Sequence, residues 1–545
     1  MTQDVGVGAA ALSFMGGLDA LFLYLESADT PMHVGSLHRF SLPAGFEGDV
    51  LDHFREQIRT RMHLSEVLTR KLASMPLGIA NPAWVDDDEV DLDYHVRRMR
   101  LPPPGSQAQL EDLAARLHSR LLDRTRPLWE MVVVEGLANG EIGFYAKVHH
   151  AGLDGQAGVA LAQALYDLAP DAGGAASPGG STGPGPAGPG AAAVHHDPPG
   201  RVRLLAGSLR NNASQLLALG RNLPGMVRSV VAAVAPSRAA DGSWKLPAFA
   251  GDSLLAPRTI LNHTISGRRA FATASLPLEQ ARALAHRHGA TLNDVVLAIC
   301  GGALRDYLRS RDSLPDASLR AAVPVSVRHS GDLQSNTQAI MVRMTMASDV
   351  ADPLERLRRV RDDSAATKAM LHDLKEVVPT DFPSVGVPWI AAALATLWGR
   401  ARLANAVPPL ANLVVSNVPG PPVPLYMAGL RMTSYWPMSI PIHGMALNIT
   451  VQSYAGRLDF GLIGCRRTVP DVARLAALLV SAFDELDRAP APDAAPRSRA
   501  GRKSAAGRKS ASGQKAATGR KADAGGVTRR PARPIRPAAR AAGSR

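Results

Sequence analysis

Two spacings of apolar residues alternate along this chain, and the places where one gives way to the other mark its elements. Between positions 142 and 148 every second residue is apolar: Ile142, Phe144, Ala146 and Val148. Such a period of two predicts a strand, whose face His150 continues, while Tyr145, Lys147 and His149 fall on the opposite face. Beyond Gly155, Leu161, Ala164, Leu165 and Leu168 recur at helical spacing, predicting a packed helix. Met131 to Glu135 reads as a preceding strand, with Trp129 as a core residue at its start. Asn139-Gly140 supplies a tight-turn signal, so the strand that ends in His149-His150 is expected to be the second arm of a hairpin.

The same reading extends to both sides. Residues 12–40 predict a short apolar helix, a turn through Thr30-Pro31 and a strand through Leu37 and Phe40. A second α/β half begins near Pro257. Within it Thr291 and Asp294 form a predicted capping box for a helix whose apolar stripe is Leu292, Val295, Val296 and Ile299. Strands are expected over 323–328, 412–416, 445–451 and 458–462, with Ala455-Gly456 joining the last two. A helix over 470–486, opened by Pro470, closes the fold.

Composition changes this picture in three places. Residues 171–200 are almost all Ala, Gly, Pro and Ser, a linker that cannot bury a core. Residues 201–238 hold six arginines and no acidic residue, with Leu and Val between them. That pattern suits either an anionic membrane surface or the seam between two domains. Residues 491–545 carry 15 Lys/Arg against 2 Asp/Glu in repeated Gly-Arg-Lys hexads, which equals the whole net charge of +13. The body is therefore formally neutral, and its charge gives no argument for nucleic-acid binding. The expected organisation is 1–170, the linker, connecting helices over 201–255, a second half over 256–490, and a disordered basic tail that can contact anionic lipid or nucleic acid.

Two cysteines, Cys300 and Cys465, sit in apolar runs and cannot build a disulfide framework, which suits a reducing compartment. The start of the chain has no basic-then-apolar signal pattern. The longest charge-free apolar run, 385–399, contains Pro388 and is short for a membrane span. A cytoplasmic protein with peripheral membrane or lipid-droplet association is the expectation, with no metal.

The candidate chemistry is the run His149-His150-Ala151-Gly152-Leu153-Asp154-Gly155, at a strand end where a scaffold can present a reactive group. A second pair, His195-His196, has no strand before it and lacks the Asp-Gly, so it reads as linker. An imidazole at residue 150 is suited to take a proton near neutral pH. His149 is expected to position, and Asp154 can orient His150 by analogy with a catalytic triad. Backbone N–H groups around Gly155, near a helix start, are candidate oxyanion donors. The capping box accounts for Asp294, leaving Asn293 as a candidate substrate contact. The Ser416-Asn417-Val418-Pro419-Gly420 turn is either a chain reversal or the lining of a substrate channel.

Several of these stretches, taken in order, resemble the bacterial wax ester synthase/diacylglycerol acyltransferase family of the chloramphenicol-acetyltransferase-like superfamily. They are Leu18-Asp19-Ala20, Pro31-Met32-His33-Val34-Gly35, Pro127-Leu128-Trp129-Glu130, the His-His-Asp-Gly motif, Asn293-Asp294 and Ser416 to Pro421. The resemblance implies two similar α/β halves with a channel between them. It also implies a long-chain acyl-CoA co-substrate and a diacylglycerol or fatty alcohol acceptor, and it points the Asp154 carboxylate away into a structural salt bridge. The residues supply the rest. An acceptor hydroxyl needs a base to take its proton, for which His150 is the candidate. No Ser or Cys nucleophile stands beside the histidines, so direct transfer without an acyl-enzyme is expected, with no cofactor. The same motif leaves open an acyl donor on a carrier protein. A non-catalytic lipid-surface or polyanion-binding protein is the reading from another class.

Overall fold

In a computed structural model, the described residues are 13–73, 81–153, 155–170, 255–326, 339–374 and 401–490, with scattered positions between. The linker 171–200, almost all of 201–254, the run 385–399 apart from Gly399, Asp154 and the tail 491–545 lie outside them.

Six strands form the first sheet. Five are β1 (His33–Ser41), β2 (Val96–Arg100), β3 (Trp129–Glu135), β4 (Ile142–His149) and a later strand, Leu430–Met438; Tyr426–Met427 lies at one edge. The expected hairpin is present as antiparallel β3 and β4. Its turn holds Gly140 at φ +74°, and the Asn139 side chain accepts from the Glu141 N–H. Trp129 is fully buried in the core, as expected. The alternation in β4 does not mark a solvent face, because all eight of its residues are buried. Helix α2 (Gln107–His118) covers the side that carries Tyr145, Lys147 and His149. Lys147 is accommodated there by donating to the carbonyls of Leu117 and Arg120 at the C-terminal end of α2 (3.2 and 2.8 Å).

The second sheet is built from β5 (Arg269–Pro277), β6 (Arg320–Ser326), β7 (Ala339–Thr345), β8 (Leu413–Val418), β10 (Leu447–Tyr454) and β11 (Arg457–Cys465). Their spatial order is β5-β11-β10-β8-β6-β7. Helices α4 (Leu292–Arg309) and α5 (Val472–Arg488) pack on it. In α5, Leu475, Leu479, Phe483 and Leu486 keep one stripe buried, each side chain contributing about 1.5–3 kcal/mol. The expected capping box is formed: the Thr291 hydroxyl accepts from the Asp294 N–H and the Asp294 carboxylate from the Thr291 N–H.

Several strands have no counterpart in the sequence reading, among them β2, β5, β7 and one that joins the two halves. Residues 430–438, here β9, leave the second half and pair antiparallel with β1 of the first sheet. The two halves are thus joined by a shared strand as well as by side-chain packing. α2 wedges between them, with Leu110, Leu113 and Leu117 meeting Phe271, Trp436 and Ile463. At the crossing the backbones touch: a Cβ on Gly461 would lie 1.7 Å from the Pro437 carbonyl oxygen. Only glycine fits there.

Two expectations need correction. The helix after the histidines, α3 (Gly155–Leu165), stops before Leu168, which is 71% exposed. Asp167 instead bridges there to Tyr426 at the edge of the first sheet. And β4 ends at His149, so His150 opens a short 3₁₀ turn (His150–Gly152) instead of extending the strand face.

Candidate active site

The two adjacent histidines have opposite surroundings because the strand ends between them. His149 is the last residue of β4 and pairs across the sheet with His33 of β1. Its side chain is wholly buried. Its Nδ1 accepts the Ala151 N–H at 3.1 Å, so the proton of a neutral ring must sit on Nε2. That nitrogen lies 3.2 Å from Oε1 of Glu26, off the axis of a regular hydrogen bond. Glu26 follows directly on α1 (Gly17–Leu25). Its other oxygen accepts two N–H groups of Arg124 (3.2 and 2.8 Å), and Oε1 also accepts the Met32 N–H at 3.2 Å. Burial pushes the Glu26 carboxyl up, but His149 and Arg124 outweigh this and hold it below its ordinary value. It is therefore a carboxylate at neutral pH.

The Met32 carbonyl in turn accepts the His150 N–H at 2.9 Å. Glu26 thereby fixes both histidines, one through its ring and one through the backbone. The His150 imidazole is half-buried and lies flat on Phe22, with ring centroids 4.0 Å apart and planes 9° from parallel. Its pKa is lowered, chiefly by burial and further by the neighbouring His149. An imidazole that resists protonation is available as a base at neutral pH. The residues immediately following, Ala151 and Gly152, line a cleft of about 340 Å³ with Met15, Trp84, Leu128 and Val148.

Behind His149 stands a buried polar column. His33 Nε2 donates to the His118 carbonyl at 2.7 Å, and the two rings meet edge to face. His118 Nε2 faces the Ser439 carbonyl at 3.2 Å and must carry the proton, so its Nδ1 accepts the Tyr145 hydroxyl at 2.9 Å. Burial lowers the pKa of His118 to about 3 and holds His33 well below its usual value.

The remaining candidates are placed elsewhere. Asp154 lies outside the described residues, and Gly155 begins α3. Asn293 is half-buried in the first turn of α4. Ser416 and Asn417 end β8, paired with Thr450 and Val451 of β10. Pro419 is exposed. The Gly420 N–H donates to the Ser453 hydroxyl at 2.9 Å, and a Cβ there would fall 2.2 Å from the Ser453 carbonyl oxygen. Among the described residues, none of these is in hydrogen-bond, ion-pair or ring contact with His149 or His150. The sequence reading missed Glu26 and Phe22. Both lie in the apolar helix stretch that was read only as packing. A carboxylate directly after an apolar run was the available signal.

The sequence profile of the wax ester synthase/diacylglycerol acyltransferase catalytic domain matches residues 15–296, and that of the C-terminal domain matches residues 336–487. A Mycobacterium tuberculosis protein named diacylglycerol O-acyltransferase is 38% identical over 484 residues, 87% of this chain and 99% of its own. One from Mycobacterium bovis, named likewise, is 37% identical over 474 residues, 86% of this chain and 98% of its own. The solved wax ester synthase/diacylglycerol acyltransferase of Marinobacter aquaeolei superposes with a TM-score of 0.60 at 29% identity, covering 87% of this chain and 99% of that one.

Proposed function

The chain belongs to the wax ester synthase/diacylglycerol acyltransferase family, and from that premise we propose an O-acyltransferase that moves a long-chain acyl group from coenzyme A to diacylglycerol or a fatty alcohol. The observation that carries the reading is the His150 ring: stacked on Phe22, kept neutral by burial, and tied by its backbone to the loop that also holds His149.

In the reaction the acceptor hydroxyl attacks the thioester carbonyl carbon while His150 takes its proton, because a neutral hydroxyl is a poor nucleophile. The tetrahedral oxyanion then collapses, the carbon–sulfur bond breaks, and the imidazolium returns the proton to the departing thiolate. Free thiol and ester are the products, and no acyl-enzyme is formed. His149 and Glu26 do not touch the reacting atoms in this scheme; they hold the turn that presents His150. Backbone N–H groups at the start of α3 are the proposed oxyanion donors, with Asn293 and the Ser416–Gly420 turn as substrate contacts. Peripheral attachment to a membrane or lipid droplet is proposed for access to apolar substrates. Among the described residues no helix is long and apolar enough to cross a membrane.

The test is thiol release from palmitoyl-CoA, with the ester product identified. Release should require an added acceptor, and His150→Ala should lower it by ~10²–10⁴-fold. Equal release without acceptor would identify a thioesterase. Activity only with an acyl carrier protein would overturn the coenzyme A donor.

A further inference from the structure

Strand pairing gathers arginines at one end of the second sheet. β5 and β11 are paired to their ends, Arg269 opposite Cys465, so the residues flanking them are neighbours. The Arg466 N–H donates to the Arg268 carbonyl at 2.9 Å. Ser119, Ser266, Gly267, Arg268, Arg466 and Arg467 line a cleft of about 670 Å³. Arg467 is also the wall of a second cleft, of about 410 Å³, that contains His263, Arg402 and Asn405. The four guanidinium-bearing residues and His263 are all exposed.

Among the described residues no carboxylate lines either cleft. The two acids beside the first are already engaged. Asp29 accepts the Gly267 N–H at 3.0 Å, and Asp112 accepts from Arg466 at 2.9 Å. Arg467 spends one N–H on the Thr264 carbonyl at 2.6 Å. Each guanidinium has five N–H donors in a fixed fork, so these bonds take up a small part of the donor capacity that lines the clefts. Like charges brought together repel, and phosphate oxygens are the partners that such forks match best.

Hydrogen bonds also connect the first cleft to the elements that hold the histidines. Ser119, in the cleft wall, accepts the Arg269 N–H at 3.1 Å and directly follows His118 of the buried column. Arg269 donates to the Asp29 carbonyl at 2.8 Å. Asp29 and Glu26 share one loop, and three residues of chain span at most ~11 Å.

We infer that this double cleft docks the phosphates of the donor's nucleotide, the diphosphate and the ribose phosphomonoester of coenzyme A, while the thioester arm reaches towards His150. The inference rests on the acyl-CoA reading above. Anionic phospholipid headgroups share the phosphate chemistry. Two concave clefts that share Arg467, the first walled by Ser119 of one half and by arginines of the other, favour a discrete polyphosphate over a flat membrane surface.

The test uses the full chain and the double variant Arg268→Gln/Arg467→Gln. The kcat/KM for palmitoyl-CoA is divided by that for palmitoyl-pantetheine, which lacks the nucleotide phosphates. This ratio should fall about tenfold for each guanidinium removed. Calorimetry with adenosine 3′,5′-bisphosphate should show binding to the unsubstituted protein and its loss in the variant. Binding to phosphatidylglycerol vesicles should be unchanged. An unchanged ratio with retained nucleotide binding would overturn the inference. So would a variant that loses vesicle binding and keeps the nucleotide. If the unsubstituted protein turned over neither thioester, the donor reading would fall, while nucleotide calorimetry would still decide the cleft.

Discussion

Glu26 Oε1 stands 3.2 Å from Nε2 of His149, with the two side chains 2% and 0% exposed. The pair joins the end of the first helix to the end of the His-bearing strand. Because the same carboxylate oxygen accepts the Met32 N–H, and the Met32 carbonyl accepts from His150, one acidic group sets the position of both imidazoles.

Glu26→Gln removes the charge at nearly constant shape. It should lower kcat by about tenfold or more while the KM for acceptor changes little, since it acts on presentation of His150 and not on substrate contacts. Steady-state kinetics with circular dichroism as the folding control checks this. An unchanged kcat would remove Glu26 from the positioning machinery.

His149→Ala leaves the Glu26 carboxylate buried with one partner fewer and opens a cavity beside it. A loss of about 3–5 kcal/mol in unfolding free energy is expected from breaking a buried pair. Urea denaturation measures it. A loss under about 1 kcal/mol would show that the ring contributes little to the fold.

Activity should persist below the pH at which an ordinary histidine protonates. Burial lowers the His150 pKa from 6.5, so the acidic limb of kcat/KM should have its midpoint below 6.5. A midpoint above 6.5 would contradict the burial of this ring.

Stability should respond to acid through other histidines. His38 and His118 have pKa values lowered by burial to about 3. The unfolded chain binds protons below about 6.5 and the folded one does not until about 3. Their contribution is complete above 6.5 and is lost as pH falls towards 3, at up to ~1.4 kcal/mol per pH unit for each ring. Thermal melts across this range should show a steadily falling Tm. A flat profile would mean that these rings are protonated in the folded state.

Gly461→Ala and Gly140→Ala should differ sharply. The first places a methyl 1.7 Å from the Pro437 carbonyl oxygen, so the shared strand must move and folding should fail or weaken by more than about 4 kcal/mol. The second has open space and only its φ of +74° to satisfy, and should cost about 1 kcal/mol. Comparable melting temperatures for the two variants would contradict the close crossing.

Local elements were legible because their signals are local. The β3–β4 hairpin, the Thr291–Asp294 capping box and the stripe of α5 each depend on residues a few positions apart, where periodicity and capping chemistry act. The His pair could likewise be read as the end of a strand from its own flanks, and the family resemblance from motifs taken in order. The strand 430–438 could not be read this way. It carries Pro437, and its partner β1 lies some 390 residues earlier, so no local pattern announces the pairing.

What the sequence by itself determined is which residue types stand where: an imidazole at 150, able to titrate near neutral pH, set where a strand stops. What only the tertiary structure decided is which groups surround that imidazole. Glu26, Phe22 and the arginines around 268 and 467 are brought to the histidines, or to one cleft beside them, by contacts between segments far apart in the chain. Periodicity records only which face of an element is apolar. The identity of what packs on that face is set by long-range burial, which no single stretch encodes.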